Sequence, residues 1–502
     1  MGDLASDLLH FMESLNFRLA NARAMTRRHF FSRTGLGLGG IALGGLFARD
    51  GMGALANPAT AAAGPLAIKP PMFPARAKSI IYLHMAGAPP SLDLFDYKPK
   101  LKELHMQPCP ESLFQGKRFA FIKGTPKMLG SPHKFHQHGR SGAWVSEILP
   151  HLAGIVDDLC IVKSLHTDQF NHAPAELFLF TGLARPGNAS LGSWVTYGLG
   201  NENQDLPGFI VLSSGGSDPS GGKGLWSSGF LPSVYQGVQC RTTGEPILYA
   251  NDPPGMDRES RRRSLDALRQ LNEAEAKLYG DPETVTRIAQ YELAYRMQIS
   301  VPEIFDISKE PVAIRELYGA KPGEGGFANN CLLARRLVEK GVRMVQLFDW
   351  GWDMHGTAKD NDLVTGLPKK CLDIDRACAA LITDLKQRGL LDETLVVWGG
   401  EFGRTPMNEA RNGSTFLGRD HHPNCFTMVL AGGGIKPGIA YGETDEFGYD
   451  VVRDKVSVRD LQETILHQLG LDAHRFTYPY LGLQQRLIGP TEEAQLIKGI
   501  LS

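Results

Sequence analysis

The sequence predicts a doubly wound α/β fold, with a mostly parallel sheet and helices on both of its faces. Three observations carry that expectation. Short, nearly unbroken apolar runs recur along the chain, they alternate with segments of helical periodicity, and they give way to glycines or to Asp, Glu and His. Strands covered on both faces read as continuous apolar stretches, whereas half-solvated strands alternate. The composition allows such a fold: 502 residues, 42% hydrophobic and 21% charged, hold ample material for a core and exclude a disordered or collagen-like chain. A formal net charge of -1 gives no global pull toward nucleic acid or anionic membrane. No repeat of about 20–50 residues appears, which argues against a solenoid or propeller.

The first segment reads as an address. Arg27 and Arg28 precede a glycine-rich, weakly apolar run at 34–48, and alanine-rich sequence follows to residue 63. A twin arginine, a short apolar stretch and small residues are the layout of a twin-arginine export signal. The run is shorter than the ~20 residues of a spanning helix, so no stable transmembrane span is expected. Residues 1–63 are therefore expected to be signal and linker, and 64–502 the folded part. Either Met1 or Met25 can be the start. The translocase would be a partner during export, and the destination the periplasm or cell envelope, or secretion. Seven scattered cysteines, with no C-x-x-C pair, offer neither a disulfide framework nor a zinc-finger spacing.

Five apolar runs follow as expected strands, at 78–85, 159–163, 342–348, 394–398 and 426–431. Helical patterns at 332–340, 372–388 and 458–469 lie among them. Residues 200–330 differ. Gly and Ser crowd 213–229, and a charged helical pattern runs over 257–297. This stretch is expected to be an inserted cap or excursion, with its arginine triplet at 261–263 a solvated face rather than a nucleic-acid contact.

Ligands of open α/β sheets bind beyond the carboxyl ends of strands. Polar residues cluster there: His84 with Asp93 and Asp96, then His172 and Glu176, then Asp353 and His355, then Glu401 and Arg404. Asp420, His421 and His422 lie just before the last run. Asp, Glu and neutral His are the ligand set of zinc and other divalent metals. Singly, each group has a bland alternative: a polar loop, a helix cap, a surface ion pair, or for His84 a satisfied core histidine. Jointly, convergence of carboxylates and imidazoles without a thiolate indicates a one- or two-metal hydrolytic site, where Arg404 can hold an anionic oxygen.

The segments GAPPSLDLFDYKP (87–99), HAPAELFLFTG (172–182), GWDMHG (351–356), EFGRTP (401–406) and GRDHHP (418–423) carry a resemblance. From about residue 78 to 487 the chain resembles a family of exported bacterial proteins of unknown function, labelled sulfatase-like and placed in the alkaline phosphatase and sulfatase superfamily. The resemblance implies an alkaline phosphatase-like fold and a two-metal site. It places Asp93, with Asp96 second, as the acid after the first strand. It makes Asp353, His355 and His421 ligands of one metal, with His422 an alternative. At the later Asp-His position the chain reads Glu401-Phe402, keeping the acid and losing the imidazole. His172 stands where sulfatases carry a formylglycine precursor, and Glu176 replaces the following arginine. Formylglycine chemistry is thereby put in doubt, and His172 is left as ligand, acceptor or general acid.

The expected activity is metal-dependent hydrolysis of phosphate or sulfate esters, on a polysaccharide or a small molecule. Asp93, Asp353, His355, Glu401, Asp420 and His421 are the candidate metal ligands, and His172 and Arg404 the catalytic candidates. Zinc is the first choice of ion, with calcium, magnesium and manganese as alternatives. The rival reading is a non-catalytic envelope protein that keeps the fold, motivated by the absent nucleophile.

Overall fold

The computed structural model describes residues 64–246, 256–279 and 282–502. The expected export signal lies outside them. Pro65–Ser502 forms one compact unit. In chain order its main elements are β1 (Ser79–Ala86), the short helix α1 (Ser91–Leu94), β2 (Cys160–His166), α2 (His172–Thr181), α3 (Leu191–Leu199), β3 (Phe209–Ser214) and β4 (Val238–Gln239). Helices α4 (Arg258–Tyr279), α5 (Pro282–Phe305) and α6 (Phe327–Glu339) precede β5 (Met344–Trp350). Then come α7 (Gly366–Gln387), β6 (Thr394–Gly399), the short β7 (Gly403–Arg404) and β8 (His421–His422), β9 (Phe426–Ala431), β10 (Ile439–Tyr441), β11 (Val456–Ser457) and α8 (Val458–Gln468).

The main sheet runs β10-β2-β9-β6-β1-β5-β3-β4, with β11 also pairing β2. Every pairing is parallel except those of β9, which is antiparallel to both β2 and β6. β1 is central, with Leu83 opposite Leu347 on one side and Trp398 on the other. All eight of its residues are buried. Successive residues face opposite sides of a sheet, and two cores follow from that. Ile81, Leu83 and Met85 pack with Leu332 and Leu337 of α6 and with Ile374 and Leu381 of α7. Ile80 and Tyr82 pack with Phe180 of α2, Trp194 of α3, and Leu461 and Ile465 of α8. Each fully buried aliphatic or aromatic side chain contributes roughly 1.5–3 kcal/mol, so both faces anchor the strand ends that carry the polar loops.

One boundary needs correction. Residues 200–330 are not a single excursion, because β3 lies in the main sheet and pairs β5 from Phe209↔Met344 to Ser214↔Asp349. The run FIVLSS is short and leads directly into Gly215 and Gly216, which masked its strand character. The helical part of the expected cap is α4 and α5. Among the described residues no helix is long and apolar enough to cross a membrane.

Candidate metal centre

The site is assembled by loops at one edge of the sheet. After β1 the chain turns through Gly87 and Ala88, both at positive φ (112° and 59°). Here Gly87 is needed for room as well as for conformation, since a Cβ would lie 2.6 Å from the Asp353 nitrogen. The turn is clamped by the EFGRTP segment. Gly87 N–H donates to Glu401 Oε1 (3.1 Å) and Ala88 N–H to Glu401 Oε2 (3.2 Å). Arg404 donates to the carbonyls of Ala88 (3.0 Å), Gly87 and Arg419 (3.2 Å), and to Asp353 Oδ1. The antiparallel direction of β9 brings the preceding segment to the same edge, where β8 pairs β7 with His421 opposite Arg404.

Four side chains converge there. Asp353 Oδ1 lies 2.8 Å from His355 Nε2, 3.2 Å from His172 Nε2 and 3.4 Å from His421 Nε2. One ligand atom from each of the four lies within 4.8 Å of all the others. His172 enters from the first turn of α2, and Asp353 and His355 from the loop after β5. Each imidazole is held through its other nitrogen: His172 Nδ1 meets Glu401 Oε1 at 2.5 Å, His355 Nδ1 meets Glu409 Oε2, and His421 Nδ1 meets the Phe170 carbonyl at 2.6 Å. That is the usual support of metal-ligating histidines, whose second ring N–H donates to a carboxylate or carbonyl. It leaves the three Nε2 atoms facing inward, around Asp353 Oδ1.

Burial and neighbouring charges shift three of the four groups. Burial would push the Asp353 carboxyl up, but Arg404 and the three imidazoles hold it far below the usual carboxylate range. Burial also depresses His421, helped by the charges of Arg404 and His172, to about 4. It is therefore neutral, as a ligand must be. Burial opposes charge on His172, but hydrogen bonds to Asp353 and Glu401 outweigh it and raise the imidazole to about 9. Three imidazoles and one carboxylate are a donor set that fits a divalent metal ion. Phe402 and Phe121 wall the centre, with Phe402 4.7 Å from the His421 ring and Phe121 5.1 Å from that of His355.

Several expected site residues stand outside the four-residue centre. Asp93 makes a bidentate pair with Arg419 (2.7 and 3.1 Å), both fully buried, and among the described residues it lies in no candidate ligand group. Glu401 holds His172 and the Gly87 turn instead of joining the four-residue centre. Asp420 accepts the N–H groups of Phe121 (2.7 Å) and Ile122 (2.9 Å), so it positions the wall of the site. It also stands with His355 and Glu409 in a separate cluster behind the centre. Arg404 is buried, and its guanidinium donates to three carbonyls and to Asp353. Asp96 is engaged by Thr444 and Lys98, and His422 by the Tyr449 carbonyl.

Two residues escaped the sequence reading. Glu409 is fully buried against His355, and nothing in its spacing announced it. Arg411, between Ala410 and Asn412 at positive φ (47° and 55°), is the guanidinium at the rim. It stacks 3.5 Å over the Phe121 ring, places Nη2 3.0 Å from His355 Nδ1, and stays 27% exposed. Non-glycine residues at positive φ concentrate at functional sites.

A family model described as "Protein of unknown function (DUF1501)" matches residues 77–501. No curated protein matches the chain. Similar solved structures include a protein in the alkaline phosphatase superfamily from Vibrio parahaemolyticus, at 10% identity over 82% of this chain and 70% of that one, with a TM-score of 0.35. Another is the PsFucS1 sulfatase from Pseudoalteromonas sp., at 11% identity, 79% and 68% coverage and a TM-score of 0.34. A third is the phosphonate monoester hydrolase SpPMH from Silicibacter pomeroyi, at 11% identity, 79% and 73% coverage and a TM-score of 0.31.

Proposed function

The chain belongs to the DUF1501 family over residues 77–501, and from that premise and its own site we propose that it is an exported, metal-dependent hydrolase of phosphate or sulfate esters. One observation carries the reading: three Nε2 atoms surround a single oxygen of Asp353, while each opposite Nδ1 is anchored. His172, Asp353, His355 and His421 would hold the ion. When bound, a zinc-type ion supplies Lewis acidity toward an anionic ester oxygen and lowers the pKa of water.

The chain's residues supply the rest. Arg404 keeps Asp353 ionised and fixes the Gly87 turn. Glu401, Glu409 and the Phe170 carbonyl set the tautomers of the three imidazoles. Arg411, at the rim, is the cation placed to orient an anionic ester. His172, at the head of α2, faces the centre as a ligand, so the position that bears a nucleophile in sulfatases offers none here. Water is then the attacking group.

Metal counting on purified protein loaded with zinc, manganese, magnesium or calcium tests this, together with assays on phosphomonoesters, phosphodiesters and sulfate esters. Asp353→Asn and His421→Ala should each abolish hydrolysis and release the ion from the four-residue centre, with the circular dichroism spectrum kept. A substoichiometric, weakly held ion at that centre would sink the proposal. A tight ion with no hydrolysis of any ester would favour the binding-protein reading.

A further inference from the structure

We propose that His84, Glu176 and Glu401 form a second, fully buried site for a divalent transition ion, behind the four-residue centre. His84 lies on β1, on the face it shares with Tyr82, and the rings of Phe180 and Phe348 meet it edge-on at 5.1 and 5.6 Å. Glu176 projects from α2, and Glu401 follows β6. All three side chains are 0% exposed.

The distances fit coordination better than hydrogen bonding. His84 Nε2 lies 3.6 Å from Glu176 Oε1 and 3.4 Å from Glu401 Oε2. A charge-assisted N–H···O bond would be roughly 2.7–2.9 Å. Two ligands on a tetrahedral ion with bonds of 2.0–2.1 Å stand roughly 3.3–3.4 Å apart. Both ring nitrogens of His84, and Glu176 Oε1, are buried without a hydrogen-bond partner among the described residues. The carboxylates are pre-aimed by backbone amides: Gly221 N–H donates to Glu176 Oε2 at 2.6 Å, and the Gly87 and Ala88 amides hold Glu401.

Charge makes the same demand. Among the described residues, the ion pairs of these two carboxylates run only to His84 and, for Glu401, to His172. Two buried carboxylates around one imidazole lack compensation, and a divalent ion supplies it. One nitrogen and two oxygens suit zinc or manganese, whereas calcium takes six to eight oxygens. The inference meets the hydrolase reading only at Glu401, which touches His172 with one oxygen and faces His84 with the other.

The test is metal counting on the full chain loaded with zinc alone, paired with anomalous scattering from its crystals at the zinc edge. Wild type should hold two ions and Glu176→Gln one. Asp353→Asn should lose the other ion and keep the buried one. EDTA dialysis should empty the four-residue centre at least tenfold faster than the buried site. If Glu176→Gln leaves the count unchanged and no anomalous peak lies among His84, Glu176 and Glu401, the site is a protonated histidine between two carboxylates and the proposal falls. Should Glu176→Gln fail to fold, the wild-type anomalous map decides alone. Failure of the hydrolase reading looks different, since Asp353→Asn would then leave the count unchanged while Glu176→Gln still lowered it.

Discussion

His421 and His422 are adjacent and chemically identical, yet one of them faces the centre and the other does not. They sit on a two-residue strand, where successive side chains point to opposite faces. His421 Nε2 meets Asp353, while His422 Nε2 lies 2.5 Å from the Tyr449 carbonyl. The same scale decides between Glu401 and Glu409. The first had a motif behind it and the second had none, but each holds the Nδ1 of an imidazole in the four-residue centre. Loss of such a partner typically lowers metal affinity by about 10–100-fold. Glu409→Gln should show a fall of that order in zinc affinity, read by competition with a chromophoric chelator, with an unchanged far-ultraviolet spectrum. An unchanged affinity would reduce Glu409 to a packing role.

Among the elements, the direction of β9 matters most. Because it runs antiparallel to both neighbours, the segment before it shares an edge with the segments after β1, β5 and β6. An apolar run carries no mark of its direction, so GRDHHP could be noticed in the sequence but not placed. Helix α1 is tied to that segment by the Asp93–Arg419 pair, which has no exposed surface. Breaking one partner of a buried pair leaves an uncompensated charge at a cost of about 3–5 kcal/mol. Asp93→Asn should lose stability on that scale in chemical denaturation, without changing the number of ions bound when folded. Loss of an ion in this variant would restore Asp93 as a ligand.

For the molecule as a whole, the sheet divides two cores and presents the centre at one edge. Five of its strands, Ser79–Ala86, Cys160–His166, Met344–Trp350, Thr394–Gly399 and Phe426–Ala431, were legible as apolar runs. Strands β3, β4, β10 and β11 were not, because they are short or glycine-flanked and gain their form from pairing. We extend the proposal to export by the twin-arginine route. Arg27→Lys with Arg28→Lys should retain a folded protein in the cytoplasm, as cell fractionation would show. Unchanged export of that double variant would remove the route.

By itself the sequence determined the α/β class, the strands at the middle of the sheet, and the acids, imidazoles and guanidinium gathered near their ends. Continuous apolar runs and ligand chemistry are local properties, readable residue by residue. Only the tertiary structure decided which of those groups meet. It sent Asp93 to Arg419, Glu401 behind His172 and Arg404 to backbone carbonyls, and it brought Glu409 and Arg411 to His355. The reason is that a ligand set is defined by distances of a few ångströms between segments far apart in the chain. Those distances follow from strand order and direction, which no single segment encodes.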